Sequence, residues 1–127
     1  MIKQGMTILY VADQKASCNF YQAVLEVEPT LDVPGMTEFQ LDGGFVLGLM
    51  PTTGISRLLG NDIFSGSSCN DPKAELYIQV DDAQVYMDKA VIHGATKVLE
   101  VGEQDWGERV GYCLDPDNHV LAFAETL

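Results

Sequence analysis

Apolar and polar positions along the chain follow two patterns, the alternation typical of strands and the three-to-four-residue spacing typical of helices. In the first half they predict strands at 6–11, 30–33, 36–41 and 45–50, with a helix at 14–26 after the first strand. In the second half they predict strands at 75–80, 96–102 and on both sides of residues 115–118, with a helix between Asp81 and Gly94. The predicted order is β-α-β-β-β twice, and such a repeat indicates a duplicated fold unit.

The predicted helix ends carry suitable capping residues. Asp13 precedes the first helix as an N-cap, and Pro29 prevents its continuation. Asp81 and Gln84 have the spacing of a capping box at the second helix, where Asp82 is a further capping residue and Gly94 a C-terminal stop.

Residues 51–73 differ from the rest of the chain, because they are rich in glycine, serine, threonine, asparagine and proline. A loop of this length in a small domain is either a linker or functional. Two compatible interpretations therefore stay open, a linker between the halves and a lid over a substrate. Leu58, Leu59, Ile63 and Phe64 give the segment apolar anchors.

The last hairpin runs from Trp106 to Ala124 and turns at Asp115-Pro116-Asp117-Asn118. Proline sets φ at the first turn position, and asparagine tolerates the left-handed conformation. A Trp-Gly pair, a strand, the Asp-Pro-Asp-Asn turn and a closing strand, together with the repeated element order, resemble the vicinal oxygen chelate superfamily. That superfamily contains glyoxalase I, extradiol dioxygenases and bleomycin-resistance proteins.

The resemblance implies an α+β fold class and a single domain over residues 1–127. Two fused βαβββ modules, at about 5–50 and about 74–127 with a linker at about 51–73, would form a curved eight-stranded mixed sheet. That sheet is an open cup with the helices outside. Related proteins pair as two-fold dimers, and open sheet edges are usually covered, so a homodimer is expected.

The composition of the chain disfavours some classes of binding partner. The formal net charge of −12 disfavours nucleic acid, because phosphate contacts require lysine and arginine. The acidity is interpreted either as a solubility feature or as attraction for a cationic ligand. No apolar stretch long enough for a membrane span and no signal-peptide core are present, and three cysteines without a C-x-x-C pair indicate a reducing cytoplasm.

Metal-dependent relatives carry one His, Gln or Glu ligand on each of four strands, and the resemblance places these positions at Met6, Gly48, Glu75 and Ala122. Glycine and alanine offer no side-chain donor, and a thioether suits soft metals. Glu75 alone does not hold a catalytic ion. We therefore predict no metal and no cofactor, and added volume in the floor of the cup at Gly48 and Ala122.

Strand alternation turns Leu47, Leu49, Leu121 and Phe123 toward the helices, whereas the phase of the strand after Trp106 is ambiguous. The cup-facing residues form the predicted ligand site. They are Met6, Tyr10, Glu38, Gly48, Met50, Glu75 and Tyr77, with Trp106 and Arg109 near the mouth.

Three of these residues have a second interpretation. Glu75 is either a strand-edge carboxylate in solvent or a pocket acid. Trp106 is either a core or rim aromatic residue or a stacking surface for a ligand ring. Arg109 is either a surface partner of Glu108 or Asp105 or a donor to a ligand carboxylate.

The remaining reactive residues predict no catalytic set. His93 and His119 fall at a helix end and beside the last turn, which favours surface or capping roles. Cys113 is interpreted as a small buried residue, and Cys18 and Cys69 lack a neighbouring histidine that would activate a thiolate. No nucleophile, base and orienting group occur together.

Three functional hypotheses follow. The first is a metal-free protein that binds a small, partly aromatic or cationic molecule, similar to the antibiotic-sequestering branch of the superfamily. The second is a metal-dependent lyase or dioxygenase with non-standard ligands. The third is a non-catalytic interaction module.

Overall fold

A computed structural model of the chain describes residues 1–63 and 71–127, so residues 64–70 of the predicted linker lie outside the described part. The strands within that part are β1 (Thr7–Val11), β2 (Leu31–Val33), β3 (Met36–Gln40), β4 (Val46–Pro51), β5 (Glu75–Gln79), β6 (Thr96–Glu103), β7 (Glu108–Leu114) and β8 (Val120–Thr126). The helices are α1 (Gln14–Leu25), α2 (Thr52–Leu59) and α3 (Ala83–Ile92).

The strands form two sheets of the same topology. The first has the order β1-β4-β3-β2 and the second β5-β8-β7-β6. In each, the first and last strands of the module are parallel, and the other pairs are antiparallel. The chain divides into two compact units, Met1–Gln22 with Glu26–Ser68 and Ala23–Leu25 with Cys69–Leu127.

The predicted α+β class with two βαβββ modules is confirmed. The prediction of one continuous eight-stranded sheet needs correction, because the ladders of the described residues stay within each module and give two sheets of four strands. In the described part of the chain, no helix is long and apolar enough to cross a membrane.

Helix α1 begins where Asp13 provides the cap, since its carboxylate accepts a hydrogen bond from the Ala16 N–H at 3.0 Å. Gln14 then ties the helix to the β2–β3 hairpin. Its side-chain amide donates to the Val33 carbonyl at 2.8 Å and the Thr37 hydroxyl at 2.9 Å, and its carbonyl accepts from the Gly35 N–H at 3.0 Å. These contacts place α1 beside the Thr37 face of the first sheet.

Helix α3 covers one face of the second sheet. The ring of Tyr86 lies 5.7 Å from the ring of Phe123, and Met87 is fully packed against Gly111. The helix is capped by Asp82, whose carboxylate accepts from the Val85 N–H at 3.2 Å. The capping box predicted from Asp81 is therefore wrong, because α3 starts one residue later than that spacing requires.

Helix α2 was not predicted. Residues 51–73 read as a loop, yet Thr52–Leu59 are helical, and buried Ile55 lies on the side of α2 that meets β4 and β1. Ile55, Leu58 and Leu59 have helical spacing, which is the signal that the turn-forming composition concealed.

Candidate functional site

The face of the second sheet that points away from α3 is defined by β-strand register. Tyr77 on β5 pairs with Ala122 on β8, and Ala122 pairs with Tyr112 on β7. Alternation puts the following residues on this side, called the Tyr77 face: Glu75, Tyr77, Gln79, Glu108, Val110, Tyr112, Ala122 and Ala124. The register thus resolves the phase of β7, which the sequence left ambiguous.

A hydrogen-bonded network crosses the Tyr77 face. The indole N–H of Trp106 donates to the Tyr77 hydroxyl at 2.9 Å, and that hydroxyl donates to Oε1 of Glu108. The side-chain amide of Gln79 donates to Oε2 of Glu108 at 2.8 Å. Both oxygens of Glu108 accept a hydrogen bond, so this carboxylate is the hub of the network.

The Tyr77 hydroxyl stays protonated within the network. Burial raises the pKa of Tyr77 above its usual value, and its hydrogen bond to Glu108 raises it further, whereas the hydrogen bond from Trp106 lowers it. A tyrosine hydroxyl is protonated at neutral pH even at its usual pKa of about 10, and the raised pKa extends its role as a donor to more alkaline pH. It therefore has a fixed role as donor to Glu108.

Below this network lies an apolar floor. Val110, Ala122 and Ala124 are fully buried, and Tyr112 packs against them. Burial raises the pKa of Tyr112, and the nearby charge of Glu75 adds to the shift. The Tyr77 face thus combines aromatic surface, a small apolar floor and two carboxylates, Glu75 beside the start of β8 and Glu108 beside its end.

Arg109 lies on the other side of the second sheet. Its guanidinium group is 3.7 Å from a carboxylate oxygen of Glu103 and 3.7 Å from one of Glu125. Glu125 also accepts from the N–H of Ala83 at the start of α3, at 3.1 Å. The structure therefore does not bring Arg109 together with Tyr77, and its partners are neither Glu108 nor Asp105.

The first sheet has a corresponding face, called the Tyr10 face. Tyr10 pairs with Met50, and Glu38 pairs with Gly48, so these four predicted site residues share it. Met6 precedes β1 and is exposed. The nine predicted residues therefore divide into a Tyr10 set, a set on or next to the Tyr77 face, and Arg109 apart from both.

The volume predicted at Gly48 is filled by neighbouring side chains. A Cβ atom on Gly48 would lie 3.0 Å from Cγ1 of Ile8 and 3.6 Å from the sulfur of Met36. Ala122 has no exposed surface. At Gly48 the prediction of a deeper floor is therefore wrong, because Ile8 occupies the space that a longer ligand side chain would need. At Ala122 it stays a prediction.

The donor set does not fit the metal that the fold implies. Of the four strand positions, only Glu75 carries an oxygen donor, and a longer side chain at Gly48 would meet Ile8. Among residues 1–63 and 71–127, no group of three or more His, Cys, Asp or Glu side chains is placed to hold a metal ion. We derive no chemical step through a metal.

His119 belongs to the last turn. Its Nδ1 lies 2.9 Å from Oδ2 of buried Asp115, whose Oδ1 accepts from the N–H groups of Asp117 and His119, both at 2.8 Å. Burial lowers the pKa of His119, but the hydrogen bond and charge of Asp115 and the charge of Asp117 outweigh it, so the net shift is upward. The sequence predicts a surface or capping role for His119; in the structure Asp115 supplies the capping acceptor of this turn, and the His119 ring is a partner of its carboxylate.

The described thiols are poor nucleophiles. Burial first, and then the charge of Asp115, raise the pKa of Cys113 to about 11. Burial also raises the pKa of Cys18, with smaller contributions from Asp32 and Glu28. Since the thiolate is the reactive form, neither thiol is activated. Cys69 lies outside the described residues.

Sequence reasoning missed Gln79 and Glu108 as members of the candidate site. By the alternation of β5, Gln79 shares a face with Glu75 and Tyr77 but is not among the predicted site residues, and Glu108 enters the prediction only as one of two surface partners for Arg109. The signal that could have found Glu108 is Gly111. A glycine inside a strand often marks a close approach, and here its Cβ would lie 2.8 Å from Cγ of Met87 on α3. Gly111 on the helix side places Glu108 on the Tyr77 face.

Comparison with known proteins now gives the family. Residues 4–127 match the glyoxalase-like domain. The fold is similar to a glyoxalase/bleomycin resistance protein/dioxygenase family enzyme from Burkholderia phytofirmans PsJN, with a TM-score of 0.83 and 20% identity over 96% of this chain and 97% of that one. It is also similar to a glyoxalase-related enzyme from Fulvimarina pelagi, with a TM-score of 0.80 and 22% identity over 98% and 89% of the two chains.

A sequence relative extends the comparison. An uncharacterised protein of Mycobacterium bovis is 24% identical over 119 residues, which cover 87% of this chain and 75% of that protein. The domain match spans both modules, and the similar structures share their fold. The chain therefore belongs to the glyoxalase-like domain family and, with it, to the vicinal oxygen chelate superfamily.

Proposed function

We propose that this glyoxalase-like protein binds a small, flat, partly aromatic cation on the Tyr77 face and that it does so without a metal. The observation that carries the proposal is the network in which Trp106 donates to Tyr77, and Tyr77 and Gln79 both donate to the Glu108 carboxylate. It places aromatic rings and a carboxylate side by side on an apolar floor.

Each component has a physical role in the proposal. Trp106 is 56% exposed, so its ring face is available to stack on a ligand ring or to attract a cation. Glu75 and Glu108 supply negative charge beside the two ends of β8. Among the described residues that the strand register places on the Tyr77 face, none is a lysine or an arginine. A cation is therefore favoured over an anion.

In the first module, the Tyr10 face offers similar chemistry. Tyr10, Met50 and Glu38 again combine an aromatic ring, a polarizable thioether and a carboxylate on one side of a sheet. The similar enzyme from Burkholderia phytofirmans bears the family name of glyoxalases, bleomycin resistance proteins and dioxygenases, and at 20% identity it supports the fold rather than a ligand.

The competing hypothesis of a metal-dependent lyase or dioxygenase requires ligands other than Met6, Gly48 and Ala122. Elemental analysis of protein purified without added metal distinguishes the two functions. We expect no stoichiometric divalent ion. About one zinc, nickel or iron ion per chain would restore the enzyme hypothesis, because a catalytic metal binds with high occupancy.

Fluorescence tests the ligand proposal directly, since Trp106 is the single tryptophan of the chain. Titration with 9-aminoacridinium, a flat cation, is expected to quench the emission. The Glu75→Gln substitution should weaken this cation about two- to fivefold, as expected for an exposed carboxylate, and should weaken neutral acridone less. Glu100→Gln, which removes an exposed carboxylate paired with Lys97 on β6, is the matched control.

Two results would contradict this placement. One is a fluorescence signal that ignores ligands whose binding is established by calorimetry. The other is equal affinity of the Glu75→Gln and unchanged chains for both dyes.

We also propose that the protein forms a homodimer in the cytoplasm. Edge strands β2 and β6 leave backbone groups unpaired within the two described sheets, and such edges are usually covered. Light scattering at micromolar concentration should give twice the mass of one chain, and the mass of a single chain would contradict the proposal.

A further inference from the structure

The hydrogen-bond donors of the Trp106–Tyr77–Glu108 network are already used within it. An indole and a phenol each have one donor hydrogen. The Trp106 hydrogen goes to the Tyr77 oxygen, and the Tyr77 hydrogen goes to Glu108. Neither residue has a donor left for a ligand, so toward a ligand both offer ring faces and Tyr77 also offers acceptor capacity.

Glu108 retains capacity as an acceptor. An ionised carboxylate has about four lone-pair sites, whereas the described network occupies one site on each oxygen. Glu108 is only half-buried, and it lies on the same face as Glu75, two strands away. Apart from the second amide N–H of Gln79, the polar atoms at the centre of the site therefore accept hydrogen bonds, and Glu108 carries negative charge.

From this polarity we infer that the Tyr77 face selects cations bearing planar N–H donors, the amidinium and guanidinium groups, and that Glu108 determines this selectivity. The inference rests on the proposed function, because it assumes that a cation binds at this face. A quaternary ammonium ion has the same charge but no N–H group. Its binding would remove water from Glu108 without replacing the lost hydrogen bonds, which is unfavourable.

Planarity adds a second reason for selectivity. An amidinium group can place two parallel N–H groups against the two oxygens of one carboxylate, and such paired bonds are stronger than single ones. Its flat cation can at the same time stack on the exposed Trp106 ring. A trimethylammonium head can also make a cation–π contact with Trp106, but it has no N–H group to pair with the carboxylate.

The test compares two probes of equal charge and similar size, benzamidinium and phenyltrimethylammonium, by calorimetry with the full chain. We expect benzamidinium to bind about tenfold more tightly, which corresponds to one or two charge-assisted hydrogen bonds. Equal affinities, or tighter binding of phenyltrimethylammonium, would overturn the inference and leave the proposed function in place. Binding of neither probe up to about 10 mM would overturn both.

Variants then assign the selectivity to Glu108. In Glu108→Gln the preference for benzamidinium should fall to about twofold or less, because the amide replaces an acceptor by a donor. Tyr77→Phe should retain the preference, since the Glu108 carboxylate remains, and Glu100→Gln should match the unchanged chain. A preference that survives in Glu108→Gln but is lost in Tyr77→Phe would assign selectivity to Tyr77 and contradict the role of Glu108.

The preference of the unchanged chain needs no variant, so the inference stays testable even if one substitution prevents folding. Far-UV circular dichroism of each variant separates loss of structure from loss of selectivity. Because the readout is a ratio of two affinities, a uniform loss of binding through a distorted site would leave it unchanged.

Discussion

The two modules close their last hairpins with the same backbone hydrogen bond but stabilise the turns differently. In the first, the Leu41 N–H donates to the Phe45 carbonyl at 2.8 Å, and Gly43 and Gly44 adopt positive φ values of 82° and 81°. In the second, the Asp115 N–H donates to the His119 carbonyl at 2.9 Å. Here the positive φ, 67°, falls on Asn118.

The first turn relies on glycines that adopt left-handed backbone at little cost, whereas the second relies on a buried carboxylate. Asp115 accepts hydrogen bonds from the N–H groups of Asp117 and His119, and its other oxygen pairs with the His119 ring. The same backbone turn is therefore stabilised in two different ways in the two modules. In the second module its stability depends on specific side chains.

The faces away from the helices differ in the same way. The Tyr10 face of the first module is lined by residues such as Ile8, Met36 and Met50 around Gly48, with Glu38 as its described carboxylate. The Tyr77 face of the second module has a connected polar network centred on Glu108. Specific recognition is therefore expected from the second module and adaptable apolar contact from the first.

The largest expected effect tests the difference between the turns. Asp115→Ala should lower the free energy of unfolding by about 3 kcal/mol, because two partly buried N–H groups and the His119 ring lose their acceptor. Asp42→Ala, in the exposed glycine turn of the first module, should change it by less than about 0.5 kcal/mol. Urea denaturation measures both. Equal losses in the two variants would contradict the dependence of the second turn on its carboxylate.

The turn itself could be predicted from the sequence, and the site only in part. Proline and asparagine in Asp115-Pro116-Asp117-Asn118 specify local backbone, which propensity describes well. Helix α2 could not be predicted, because Gly54 and the threonines near it are weak helix formers. The helix is stabilised instead by the burial of Ile55.

Arg109 and Glu108 show where strand alternation does not predict which face of a sheet a residue occupies. In β7 both alternating sets contain apolar residues, with Val110 and Tyr112 in one and Gly111 and Cys113 in the other, so hydrophobicity does not assign the faces. The packing of Met87 on Gly111 assigns them, and that contact joins residues far apart in sequence. Residues such as Tyr77, on a strand with clear alternation, were assigned correctly to their face.

Close packing at Gly111 distinguishes the two faces of the second sheet. In Gly111→Ala the added methyl group would lie 2.7 Å from Cγ2 of Val101 and 2.8 Å from Cγ of Met87. We expect a loss of about 1–3 kcal/mol in unfolding free energy, the usual range for overpacking. Gly102→Ala is the matched control, because its new Cβ would be 3.8 Å from the nearest atom, the Glu100 carbonyl oxygen.

Chemical denaturation of both glycine variants gives the comparison. If Gly111→Ala were as stable as Gly102→Ala, α3 would not pack as closely on β7 as described. The assignment of Glu108 to the Tyr77 face would then lose its support.

The third prediction separates Arg109 from the ligand site. Arg109→Met keeps much of the aliphatic contact but removes the pairing with Glu103 and Glu125, so we expect a stability loss of at most about 1 kcal/mol. Its affinity for 9-aminoacridinium should stay within about twofold of the unchanged chain, since the guanidinium lies on the opposite side of the sheet. A large change in affinity would instead restore the sequence-based prediction that Arg109 borders the site.

The smallest expected effect concerns pH and again compares the turns. The pKa of His119 is raised in the folded protein, because the hydrogen bond and charge of Asp115 outweigh the effect of burial. The protonated ring is therefore bound more favourably in the folded chain than in the unfolded one. Its stabilising contribution is full below the unfolded pKa of about 6.5 and is lost as pH rises through the higher folded value.

The measurement is the unfolding free energy of the unchanged chain and of His119→Gln at about pH 5 and about pH 8.5. The difference between the two chains should be larger at the lower pH, by less than about 1 kcal/mol, because the ring is partly exposed and solvent screens the pair. His93→Gln, which removes the imidazole at the end of α3, controls for general effects of losing a histidine. A difference that grows toward high pH would mean that Asp115 binds the neutral ring. The second turn would then owe its stability to the hydrogen bonds that the Asp115 carboxylate accepts from backbone N–H groups.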